Sequence, residues 1–173
     1  MCRMCEGFSL EDDLALSAAS LAEYGFLTIG IDEPDDPGSP NWTYTVGLLD
    51  TYGHPELVVA GPPVVSAHAL IHQVWHQIDE GRRFSPGDRW RFEIGIVDFG
   101  SVDPVQYDLV TFNRWHLLAD HGYLHTPLEA IQVFVPALWK DVPSIWVEPD
   151  LSDPSARVDA WRPNRAARRN RRR

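Results

Sequence analysis

Asn41-Trp42-Thr43-Tyr44-Thr45-Val46-Gly47-Leu48, followed closely by Gly53-His54-Pro55-Glu56-Leu57-Val58-Val59, decides how this chain is read. An alternating aromatic and β-branched run, a turn and a second apolar run describe a β-hairpin at the centre of a sheet. In the expected strand 42–48, Trp42, Tyr44, Val46 and Leu48 share one face, and Thr43, Thr45 and Gly47 share the other. Two threonines and a glycine leave room for a neighbouring backbone to pack closely, or for a small ligand to lie on a pocket floor. The second run brings His54 and Glu56 to the turn. Pro55 disfavours helical geometry at His54, so an exposed or half-exposed imidazole titrating near neutrality is expected, with Glu56 placed to orient it. The competing role is structural: a histidine that bonds a loop backbone and fixes the turn.

On the N-terminal side, Ser9-Leu10-Glu11-Asp12 has the form of a capping box, with acids at the positive end of the helix dipole. Leu10, Leu14, Ala18, Leu21 and Ala22 make an apolar stripe, and Gly25 ends the helix. Residues 26–31 are expected as a short strand buried on both faces, and the proline-rich, acidic stretch 32–40 as a solvated loop.

Beyond the hairpin, Gly61-Pro62-Pro63 closes the second strand, and Ala67, Leu70, Ile71, Val74 and Ile78 line the core face of a long helix. His68, His72 and His76 recur every four residues on that helix, a spacing that can hold a divalent metal. The stripe falls about 140° from the centre of the core face, which predicts a solvated surface without a dry cavity. Residues 89–99 alternate as one long strand, 107–123 read as a helix, and 128–135 as the last central strand before Pro136. Trp139 and Trp146, set among prolines, describe an extended segment lying over the body. Together these elements predict an α+β fold: one domain with a mostly antiparallel sheet of five or six strands and three helices.

The chain of 173 residues suits one domain plus a tail, and 44% apolar residues are ample for a core. Charge is unevenly divided. Residues 1–156 hold 24 acidic and 7 basic side chains, a balance of −17, whereas residues 157–173 hold 8 arginines against Asp159, a balance of +7. The expected organisation is a globular domain over 1–156 and a disordered tail over 157–173. The acidic body repels phosphate backbones, so nucleic acid or an acidic partner would have to meet Arg165, Arg168, Arg169, Arg171, Arg172 and Arg173. The tail has two other roles open to it: folding back on the acidic body, or keeping the protein soluble.

No apolar run approaches the length of a membrane span, and no leader-type apolar segment follows the N-terminus, which points to the cytoplasm. Cys2 and Cys5 form a Cys-x-x-Cys pair able to reach one metal or one disulfide, although structural zinc asks for four ligands. No phosphate-binding glycine loop, nucleophile elbow or His-Glu-x-x-His helix is present in the sequence.

The N-terminal Met-Cys-x-Met-Cys, the run Trp42-Thr-Tyr-Thr-Val-Gly-Leu and Gly53-His-Pro-Glu-Leu resemble an uncharacterised bacterial family known as a domain of unknown function. The resemblance covers about residues 1–150 and implies a fold, with no activity, cofactor or catalytic residue to carry over. Two functions of different kinds follow from the residues. One is a small-ligand- or partner-binding regulatory module with its site at Trp42, Tyr44, Thr45, His54 and Glu56. The other is an enzyme that uses His54 and Glu56 with a metal or a flavin.

Overall fold

A computed structural model of the chain describes residues 9–32, 40–109 and 111–135. The elements in chain order are α1 (Leu10–Tyr24), β1 (Leu27–Ile31), β2 (Trp42–Val46), α2 (Leu48–Tyr52), β3 (Glu56–Ala60), α3 (Val64–Asp79), β4 (Arg89–Phe92), β5 (Gly95–Ser101), α4 (Asn113–Asp120) and β6 (Ala130–Phe134). One sheet of six strands, in the order β1-β2-β3-β6-β5-β4, gathers them. Every neighbouring pair is antiparallel except β3–β6, which is parallel. The fold is therefore α+β, as the sequence pattern predicts, and β3 and β6 are its central strands.

Alternation along the strands sorts side chains into two cores. Leu57 and Val59 join Ile131, Val133, Phe99 and the apolar face of α3. Val58 and Ala60 join Trp42, Tyr44, Val46, Leu14 of α1 and Phe112, Trp115 and Leu118 of α4. The sheet thus lies between α3 on one face and the α1–α4 pair on the other. All five residues of β2 and all five of β3 are buried, so the two-threonine face of β2 lies beneath neighbouring protein.

α1 begins as its capping box predicts. The Ser9 hydroxyl accepts from the Asp12 amide at 3.1 Å, and the Asp12 carboxylate accepts from the Ser9 amide at 3.2 Å. Its buried stripe is narrower than the periodicity suggests: Leu10 is exposed, while Asp13 is buried and ion-paired with Arg114 of α4 at 2.5 Å.

Four other elements differ from the sequence-based expectation, each for a local reason. β1 is a half-buried edge strand and is not buried on both faces. The stretch 89–99 is a hairpin, because Glu93 and Ile94 form a turn that Gly95 completes at φ 132°. The helix expected over 107–123 is reduced to α4, since the Asp108 carboxylate accepts from the Thr111 amide at 2.7 Å and holds the preceding residues in a turn. The strand expected over 42–48 stops at Val46, and the turn that follows is the five-residue helix α2. Cys2, Cys5, Trp139, Trp146 and the arginine tail lie outside the described residues. No helix among the described residues is long and apolar enough to cross a membrane.

Glycine bounds α2 on both sides, for different reasons. Gly47 has φ 100°, and a Cβ there would lie 2.6 Å from the Leu21 side chain and 3.2 Å from the Gly25 carbonyl oxygen. Gly53 has φ 62° with nothing within 4 Å of the same position. We predict that Gly53→Ala loses about 1 kcal/mol, the cost of the left-handed backbone alone. Gly47→Ala should lose about 3 kcal/mol or more, because overpacking adds to it. Equal losses in urea denaturation would show that the approach of α1 to the turn contributes nothing.

Candidate functional site

α2 is too short to be stable by itself and has no N-cap side chain of its own, because its N-cap residue is Gly47. Glu56, the first residue of β3, caps it from across the hairpin. Its carboxylate accepts from the amides of Gly47 at 2.8 Å, Leu48 at 3.3 Å and Leu49 at 3.4 Å, and from the Thr45 hydroxyl at 2.6 Å. Thr45 in turn accepts from the Leu57 amide at 2.8 Å, which locks the carboxylate to both strands. Glu56 is 1% exposed. Burial pushes its pKa up to about 7, against the pull of the Thr45 hydroxyl and the three amides.

His54 is fully buried, which overturns the expected exposed imidazole. Its Nδ1–H donates to the Pro55 carbonyl at 2.7 Å, and its Nε2 accepts from the Phe84 amide at 3.2 Å, so the bonds select one neutral tautomer. Burial, helped by the charge of Arg83, holds its pKa below the ordinary histidine value. Phe84 stacks on Phe99 with ring centroids 4.3 Å apart, so the histidine ties β3 to the core beneath the loop between α3 and β4.

The two aromatic candidates are engaged in the same way. Trp42 Nε1–H donates to the Thr111 carbonyl at 3.0 Å. The Tyr44 hydroxyl accepts from the Arg114 amide at 3.0 Å, and burial pushes its pKa up to about 12. α4 has no side-chain cap from its own N-cap residue, so Tyr44 does for α4 what Glu56 does for α2.

The structure therefore brings all five candidates together on β2, β3 and their connection, but each faces inward. Around them it adds ties that sequence spacing gave no means to find. Asp50 of α2 accepts from the His125 amide at 2.7 Å, from the Thr126 amide at 3.0 Å and from the Thr126 hydroxyl. The Thr51 hydroxyl donates to the Gly25 carbonyl at 2.7 Å, and the Arg83 guanidinium donates to the Tyr52 carbonyl. Among the described residues no group of three or more His, Cys, Asp or Glu side chains is arranged to hold a metal ion. The outer side of α2, with Asp50 and Thr51 exposed, remains open to solvent beside exposed His125 and Pro127.

Glu56 makes a testable contribution to pH dependence. Its folded pKa of about 7 lies above its ordinary value of 4.5, so its stabilising contribution is complete below the ordinary value and is lost as pH rises through 7. Glu56→Gln points an amide donor at other donors and should cost about 2 kcal/mol. The advantage of wild type over E56Q should then shrink as pH rises from about 5 to about 8. His54, whose folded pKa is lowered, acts in the opposite sense, with stability lost as pH falls below its ordinary 6.5, and the subtraction removes it. Urea unfolding of both proteins across this range measures the difference, and an advantage that grows with pH would contradict the assignment.

No curated protein and no solved structure matches this chain. A family model described as a domain of unknown function (DUF4262) matches residues 20–143, which include all six strands, both hairpin runs and the capping carboxylate. That match spans more than half of the sequence, and the chain belongs to the DUF4262 family.

Proposed function

We propose that this protein is a small-ligand- or partner-binding regulatory module of the bacterial cytoplasm, one globular domain over 1–156 with an arginine tail over 157–173. Its site is at the hairpin, where Trp42, Tyr44, Thr45, His54 and Glu56 form the rigid wall behind α2 and its neighbouring loops. One observation carries this reading: the polar groups of these five side chains are spent on holding backbone and helix ends in place. Groups so committed hold a surface rigid, and rigidity lowers the ordering cost of binding. The enzyme alternative asks His54 or Glu56 to reach a substrate, which requires α2 to lift from the hairpin. An absorbance spectrum and elemental analysis of the purified full chain separate the two. Flavin, or one metal per chain, lost in His54→Ala or Glu56→Ala with the fold intact, would replace the binding module with an enzyme.

A second reading rests on the charge division between body and tail. Arg165, Arg168, Arg169, Arg171, Arg172 and Arg173 contact nucleic acid or an acidic partner, held off the acidic body by like-charge repulsion between that body and the ligand. Affinity for a non-specific duplex should then fall steeply with salt, with a log–log slope of about −0.9 per phosphate neutralised. Deleting residues 162–173 should abolish binding. Unchanged affinity after the deletion would remove the tail from this role.

A further inference from the structure

A cluster of histidines and aromatic rings lies on α3, apart from the hairpin wall. His68 and His72 stand one helical turn apart with ring centroids 4.4 Å from each other. His72 is half-buried, its ring against Phe26 at 5.7 Å and Trp75 at 5.8 Å, and those two rings lie 5.3 Å apart. The stripe predicted to be fully solvated thus has one member set into an aromatic wall. His76 leans on Trp75 at 4.7 Å, one turn further along.

We propose that His68 and His72 chelate one divalent cation of the borderline class (Cu²⁺, Ni²⁺ or Zn²⁺), leaving further coordination positions open to water or an external donor. With metal–nitrogen bonds of about 2.0–2.1 Å, two imidazoles at right angles around one ion have centroids roughly 4.5 Å apart. The observed 4.4 Å meets that spacing without moving the helix. Packing against Phe26 and Trp75 restrains the His72 ring, so little rotamer freedom remains to be lost on binding. Imidazole nitrogen selects borderline cations over Mg²⁺ and Ca²⁺, which prefer oxygen. Two protein ligands make an exchangeable site, suited to sensing or borrowing an ion.

The inference is independent of the hairpin reading, and its test keeps the two apart. The full chain carrying Cys2→Ser and Cys5→Ser, which removes thiol binding, is titrated with NiCl₂ and CuCl₂ by calorimetry. One ion per chain is expected, with copper tighter than nickel and no heat from MgCl₂. His68→Ala and His72→Ala should each weaken binding by roughly tenfold or more. His76→Ala should leave it unchanged, and Trp75→Phe should remove most of the fluorescence quenching by Cu²⁺. His68 is exposed, so its substitution leaves folding intact and keeps the test valid if His72→Ala unfolds. Unchanged affinity in His68→Ala, or no heat at millimolar metal, would overturn the proposal.

Discussion

One buried side chain, the Glu56 carboxyl group, organises the centre of this protein. The Glu56 carboxylate receives three main-chain amides and one hydroxyl, nearly all it can accept, at the start of a helix that lacks a cap of its own. Each hydrogen bond to such a group contributes about 0.5–1.5 kcal/mol when the group is neutral and about 1.5–3 kcal/mol when it is charged, and leaving it unpaired in the interior costs more. The hairpin therefore has little freedom in register. A slip of one residue would turn Glu56 to the other face of the sheet, exchange the two cores on β3 and leave α2 uncapped. β2 and β3 pair as they do because of the apolar alternation, and they are held to that pairing by the carboxylate.

From this point constraints spread to elements distant in sequence. α2 is tied to the end of α1 through Thr51, to the loop before β4 through Arg83, and to the loop before β6 through Asp50. His54 adds Phe84 to the same knot, and Tyr44 and Trp42 anchor the start of α4 and the turn before it. The cores on opposite faces of the sheet are otherwise separate, so the hairpin and its helix are where movement on one face would be felt on the other. Asp13 and Arg114 close a second link, between α1 and α4.

Much of this is legible in the sequence. Ser9 and Asp12, the apolar face of α3, the β2 alternation and the mixed class of the fold all follow from patterns shorter than a helix or strand, where local chemistry decides. The misreadings fall where a single residue cancels a continuing pattern. Gly95 folds the alternation of 89–99 back on itself, Asp108 halts a helical run, and Gly47 ends a strand whose period continues through Leu48. His54 departs from the expected exposure for a different reason. Pro55 does force it out of helical geometry, but its solvent exposure depends on Phe84, thirty residues away. Long-range partners of that kind leave no periodic trace in sequence.

The two hairpin runs take on a particular meaning in this light. Tyr44 caps α4, Thr45 bridges carboxylate and strand, Gly47 allows both the left-handed turn and the approach of α1, and Leu48 fills the core. In the second run Gly53 ends α2, His54 pins a loop, Pro55 accepts from it and Glu56 caps the helix. Most of these positions have a structural task that depends on the side chain or on its absence, so the two runs are a signature of the hairpin's construction. Such a construction says nothing of the chemistry on the protein's surface, since one fold can host unrelated functions. If the protein is a binding module, its determinants of specificity are to be sought on exposed surfaces outside these buried side chains: the outer face of α2, the loop at His125 and Pro127, and His68 and His76 of α3.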